Sequence, residues 1–168
     1  MSSVIAYIGL GSNLAEPLNQ LAKAITELAA LPKTTLLGQS PFYRSTPVGP
    51  QDQPDFVNGA VSLRTGLTAL ELLDHLQAIE QRQGRERTRV WGPRTLDLDL
   101  LLFGRKVIES PRLIVPHTEL PNRDFVLQPL LDLDAELTLP DGRKVANLRA
   151  QCPDNALQRL EPGQSSGR

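Results

Sequence analysis

Residues 91–104 read WGPRTLDLDLLLFG, and the question they raise is why an apolar run should carry two negative charges. The alternation predicts a strand over residues 95–103. On a strand successive side chains take opposite faces, so Asp97, Asp99, Leu101 and Phe103 are expected on one side and Leu96, Leu98, Leu100 and Leu102 on the other. At about 3.3 Å of rise per residue the two aspartate α-carbons lie about 6.5–7 Å apart, close enough to share one or two cations. Oxygen ligands with no His or Cys beside them suit a hard ion, and Mg²⁺ commonly takes one or two carboxylates together with substrate phosphates. In isolation such a pair reads equally well as the solvated face of a half-exposed strand. Its surroundings shift the balance: Arg85, Arg87, Arg89 and Arg94 crowd the segment just upstream, and guanidinium forks match phosphate oxygens. Carboxylates for Mg²⁺ beside arginines for phosphate are the parts of phosphoryl transfer, whose catalysis is mostly positioning and charge neutralisation. The pair therefore points to a nucleoside triphosphate.

Upstream of the arginines, Thr68 and Glu71 form a capping-box signature, and Leu72, Leu73, Leu76 and Ile79 give the helix that follows a buried face until Gly84 stops it. The chain before it starts with a β-rich run, Val4 to Leu10, closed by Gly11-Ser12-Asn13 as a tight turn. From Pro17, Leu18, Leu21, Ala22, Ile25, Leu28 and Ala29 recur at helical spacing. Residues 34–37 and 42–44 read as extended, with Pro41 at an edge or bulge, and residues 56–63 as a further strand. Between the last two lies STPVGPQDQPD, residues 45–55, with three prolines; it is too polar for a core and reads as a binding loop. The order β-α-β-β-α-β predicts an α+β, ferredoxin-like core with an antiparallel sheet. Beyond Gly104 we expect small strands at 107–108 and 113–115, a helix over 122–133 broken near Pro129, a hairpin at LPDGRKV and a disordered tail at 161–168.

The totals set bounds. At 168 residues, 40% hydrophobic and 22% charged, the chain is read as one globular domain over residues 1–160. A net charge of −1 argues against a broad electrostatic grip on nucleic acid. The single cysteine, Cys152, and the lack of Cys/His spacing speak against disulfides and zinc. No signal-peptide pattern or membrane-length apolar run occurs, so a cytoplasmic location without a membrane partner is expected. No G-x-x-x-x-G-K-[ST] is present, and GLGSN, residues 9–13, lacks the third glycine of a dinucleotide fingerprint.

Four segments in order, YIGLGSN, FYRSTPVGPQDQPDFVN, WGPRTLDLDLLLFG and VPHTELPNRDFVLQPL, closely resemble the 6-hydroxymethyl-7,8-dihydropterin pyrophosphokinases of folate biosynthesis. The likeness covers about residues 4–145. It implies a three-layer α/β/α ferredoxin-like monomer acting on small molecules, which transfers the pyrophosphoryl group of ATP to the hydroxymethyl group of a reduced pterin with two Mg²⁺ ions. Position by position, it implies Asp97 and Asp99 as metal ligands and Arg85 and Arg94 as the residues that stabilise transferred charge. The pterin positions are Ser45, Thr46, Pro47, Val48, Phe56, Asn58 and Phe125, with Trp91 and Arg94 closing over them. Those for ATP are Gln77, Glu80, Arg85, Arg87, Trp91, Arg94, Leu100, Arg112, Ile114, His117, Thr118 and Arg123. Two positions depart from the family pattern: Val90 replaces a basic residue and Thr118 an aromatic one.

Two other classes share parts of this pattern. A Mg²⁺-dependent nucleotidyltransferase also joins a Gly-Ser turn to a D-x-D strand, but there the acids follow the turn closely, whereas Asp97 is far downstream. A non-enzymatic RNA-binding module on a ferredoxin-like scaffold stacks bases on sheet aromatics. With 4% aromatic residues and aspartates on its strand, this chain is poorly equipped for that.

Overall fold

The computed structural model describes residues 3–13, 17–45, 56–84, 96–152 and 157–160. A sheet of six strands is built from β1 (Val4–Ser12), β2 (Thr34–Gln39), β3 (Tyr43–Ser45), β4 (Phe56–Thr65), β5 (Leu96–Phe103) and β8 (Gln158–Arg159), the order being β5-β1-β4-β3-β8 with β2 also on β4. β1 is antiparallel to both β4 and β5. β2 and β3 follow one another along the other edge of β4, linked across Pro41 by the Ser40 hydroxyl, which accepts the Ala60 N–H. A separate ribbon pairs β6 (Ile108–Glu109) with β7 (Ile114–Val115).

Helices cover both faces. α1 (Pro17–Ala29) and α2 (Ala69–Gly84) bury Leu21, Ile25, Leu28, Leu72, Leu76 and Ile79 against Ala6, Ile8, Leu10, Val61, Leu63, Leu96, Leu98 and Leu100. The capping box forms as expected: Glu71 Oε1 accepts the Thr68 N–H at 2.8 Å and the Thr68 hydroxyl accepts the Glu71 N–H at 3.1 Å. On the opposite face α3 (Asp124–Leu133) and α4 (Val145–Gln151) enclose a second cluster, Leu120, Leu127, Leu130, Leu139 and Val145, against Leu101 and Leu102. The result is the three-layer, α+β ferredoxin-like arrangement.

The structure corrects three sequence expectations. β1 continues through Gly11 and Ser12, so GLGS is strand rather than turn. α3 runs unbroken through Pro129, because the proline costs the helix one hydrogen bond while Leu127, Pro129 and Leu130 are all buried. The third correction concerns β5. A register shift between Tyr7 and Ile8 pairs Ile8 with Leu100 but Tyr7 with Leu102, leaving Leu101 as the extra residue of a β-bulge. The alternation therefore reverses after it: Phe103 packs in the α1/α2 core with Leu100, and Leu101 and Leu102 both serve the α3/α4 layer. Residues 137–145 do close a hairpin, Leu139 N–H to Arg143 O, whereas α4 and β8 had no clear signal.

Candidate active site

The strand register assembles a platform on the α3 face of the sheet. Residues paired across antiparallel strands share a face. Gly11 pairs with Asp97 on one side and Asn58 on the other, and Asn58 pairs with Tyr43; in the next row Gly9 pairs with Asp99 and Ala60. Phe56, paired with Ser45, begins the row beyond Asn58. The two glycines thus floor the space between the acid pair and the Phe56–Asn58 edge. A Cβ on Gly11 would come within 2.7 Å of Asn58 Nδ2, and one on Gly9 within 3.2 Å of Leu101. A glycine at position 11 leaves room for the Asn58 amide.

Asp97 is exposed and Asp99 half-buried, its side chain 46% exposed. Burial pushes the Asp99 carboxyl up; Asp97 adds to that, while His117 and Arg123 oppose it. His117 is held from two sides. Its N–H donates to the Leu101 carbonyl at 3.2 Å, and its Nδ1 accepts the Glu119 N–H at 3.2 Å, which leaves Nε2 facing Asp99 Oδ1 at 3.9 Å. A neutral imidazole in that arrangement carries its proton on Nε2, toward the carboxylate.

Beside Asp99 opens a pocket of about 280 Å³, whose walls include Leu98, Leu100, Arg112, Ile114, His117 and Thr118. It gathers five of the expected nucleotide positions with one of the expected metal ligands. Arg112 is fixed to α2 by donation to Asp74 Oδ1 at 2.7 Å and Gln77 Oε1 at 3.2 Å, so Gln77 contributes by orienting that arginine. Glu80, one turn on, accepts the Leu98 N–H at 2.7 Å. Its carboxyl is pushed up, first by burial, then by Asp97 and Asp99, against the pull of the Leu98 bond. At the start of α3, Arg123 lies over the Phe125 ring with its guanidinium carbon 5.6 Å from the centroid, and its Nε is 3.9 Å from Glu119 Oε1.

Thr46, Pro47, Val48, Arg85, Arg87, Trp91 and Arg94 lie outside the described residues. Among the described residues, no group of three or more His, Cys, Asp or Glu side chains could hold a metal ion. Asp97 and Asp99 are instead a two-carboxylate set on one face, all hard oxygen, which suits Mg²⁺ completing its shell with phosphate and water. Sequence reasoning missed the glycine floor, Asp74, and Leu73 and Ser110 in the pocket wall. Asp74 was detectable in principle, since it stands three residues before Gln77 on one helix edge.

Comparison with known proteins shows what the chain is similar to. The profile of the family described as 7,8-dihydro-6-hydroxymethylpterin-pyrophosphokinase matches residues 7–135. The 2-amino-4-hydroxy-6-hydroxymethyldihydropteridine pyrophosphokinase of Pseudomonas aeruginosa is 55% identical over 157 residues, covering 94% of this chain and 96% of its own. The enzyme of that name from Haemophilus influenzae is 46% identical over 159 residues, covering 95% and 99%. Among solved structures, wild-type Plasmodium falciparum HPPK-DHPS with pteroate superposes with a TM-score of 0.67 at 14% identity, over 89% of this chain and 42% of that longer one. The same protein with pterin and p-hydroxybenzoate gives 0.69 at 15% identity, over 89% and 43%. With the profile spanning most of its length and near-full-length relatives at this identity, the chain belongs to the 7,8-dihydro-6-hydroxymethylpterin-pyrophosphokinase family.

Proposed function

We propose that the pyrophosphoryl transfer of this family, from ATP to the hydroxymethyl group of 6-hydroxymethyl-7,8-dihydropterin, runs across the glycine floor between Asn58 and the acid pair. The pterin lies toward Phe56, Asn58 and Phe125, where aromatic faces hold a flat heterocycle and the Asn58 amide pairs with its edge. ATP occupies the pocket beside Asp99, with its triphosphate directed to the aspartates. The hydroxymethyl oxygen attacks the β-phosphorus in line, the bond from that phosphorus to the α,β-bridging oxygen breaks, the hydroxyl proton is lost, and AMP departs. No covalent enzyme intermediate is required.

Asp97 and Asp99 hold Mg²⁺, two ions in our reading, and the metal supplies neutralisation of the polyanion and a template for the attack. Arg112 adds positive charge from the pocket wall and Arg123 from the start of α3, where its charge reaches Asp99; Arg85 and Arg94, outside the described residues, are proposed for the transferred group. His117 faces Asp99 with Nε2 3.9 Å from Oδ1 and adds a polar wall beside the carboxylate. We also read the enzyme as a cytoplasmic monomer with small-molecule substrates and neither nucleic-acid nor membrane partner. Its net charge of −1 offers nucleic acid little, and among the described residues no helix is long and apolar enough to cross a membrane.

The observation that carries the site map is the convergence of Asp99, Arg112 and His117 on one pocket adjoining the glycine rows. A product assay tests it. Protein, Mg²⁺, ATP and the reduced hydroxymethylpterin should give AMP and pterin diphosphate in equal amounts, and chelation of the metal should abolish both. ADP as the product, or AMP formed equally well without pterin, would refute the reading.

A further inference from the structure

The sheet ends at β5. β1 pairs with one edge of that strand, and among the described residues no strand pairs with the other. An open edge leaves backbone groups that need partners. Glu80, near the end of α2, supplies one by accepting the Leu98 N–H at 2.7 Å. Leu98 stands between Asp97 and Asp99, and its own side chain is buried in the α1/α2 core. The bonded peptide unit joins Asp97 to Leu98, so it fixes the backbone from which Asp97 leaves directly and that of Asp99 through the one peptide that follows.

A half-buried carboxylate within range of the charge of two more carboxylates is a costly way to satisfy one amide, since all three repel. What it gains is an acceptor for an amide on a strand edge where, among the described residues, no neighbouring strand supplies one. The Glu80 carboxylate is engaged by the backbone, its Oε2 taking the Leu98 N–H. Its neighbours on α2 act similarly on the other wall: Asp74 and Gln77 grip Arg112.

We propose that Glu80 is a positioning residue, which fixes the Leu98 amide and so the spacing and direction of Asp97 and Asp99. The proposal rests on the reading of those aspartates as cation ligands. Groups that orient metal ligands typically change metal affinity or activity by about 10–100-fold when removed.

Three variants test it: Glu80→Ala, Glu80→Gln and, as a reference, Asp97→Asn. The first readout needs neither metal nor turnover. Amide hydrogen exchange by NMR should show Leu98 protected in the wild type and in Glu80→Gln, whose side-chain oxygen still accepts the bond, and at least about tenfold faster in Glu80→Ala. The second is Mn²⁺ affinity in the presence of a non-hydrolysable ATP analogue. It should fall about 10–100-fold in Glu80→Ala and be largely restored in Glu80→Gln, with kcat following. Unchanged Leu98 exchange in Glu80→Ala overturns the proposal, as does Glu80→Gln being as damaged as Glu80→Ala, which would give the role to the charge. If Asp97→Asn binds Mn²⁺ normally, the cation reading fails and the proposal with it. Loss in Asp97→Asn beside normal affinity in Glu80→Ala refutes the positioning role alone.

Discussion

The site rests on single atoms placed or left out. At position 11 it is a missing one: the absent Cβ is what lets Asn58 Nδ2 stand over the strand, within 2.7 Å of where that carbon would be. Gly11→Ala can be relieved by swinging the Asn58 amide, so the fold should survive with its melting temperature little changed. The displaced amide should raise KM for the pterin about tenfold while KM for ATP stays near its original value, equivalent to the loss of roughly one hydrogen bond. Steady-state kinetics with each substrate varied would decide this, and an equal rise in both constants would count against the placement of the pterin. Asp97→Ala and Asp99→Ala should each lower kcat at least about 100-fold, beyond the usual cost of removing a mere orienting group, without unfolding the chain. Asp97 is exposed and Asp99 half-buried, so neither supports the apolar core.

At the scale of elements, α3 is pinned to the sheet by the Tyr43 hydroxyl, which donates to Asp132. Tyr43 is 6% exposed, and burial, aided by the Asp132 bond and charge, pushes its hydroxyl up to about 12 from 10.0. The folded state thus holds the phenol proton more tightly than the unfolded chain does. Its contribution is complete below pH 10 and lost as pH rises through 12. Tyr43→Phe should cost about 1 kcal/mol at neutral pH and flatten the fall in stability between pH 10 and 12, as measured by denaturant unfolding across that range. The capping box gives a simpler case: Thr68→Ala should destabilise α2 by about 1 kcal/mol, seen as a lowered urea midpoint. These elements also show what the sequence could and could not disclose. α1, α2 and β5 were legible because their periodicity and caps are local. The bulge at Leu101 was not, because it depends on how Tyr7 and Ile8 pair across the sheet, and a one-residue slip reverses the faces of every residue that follows. α4 is only seven residues long, and α3 is held through Pro129 by burial rather than propensity.

For the whole molecule, three layers turn distant stretches into one surface. β1 brings glycines, β4 Phe56 and Asn58, β5 the acid pair, α2 the polar edge Asp74–Gln77–Glu80, and the segment after β7 His117 and Thr118. Residue types and family resemblance were enough to nominate most of these side chains. Their division of labour was not readable. Gln77 and Glu80 could be nominated as neighbours of the nucleotide, yet their side chains bond Arg112 and the Leu98 amide, and such partners are set by packing alone. In the proposed function Asp97 and Asp99 carry the metal-bound triphosphate beside the pterin on the glycine floor. A crystal structure with Mg²⁺, a non-hydrolysable ATP analogue and the pterin tests it most directly. Mg²⁺ is expected at about 2.1 Å from oxygens of both aspartates and of the triphosphate, with the pterin hydroxymethyl oxygen facing the β-phosphorus across Gly11. A metal held elsewhere, or a pterin away from Asn58 and Phe56, would contradict it.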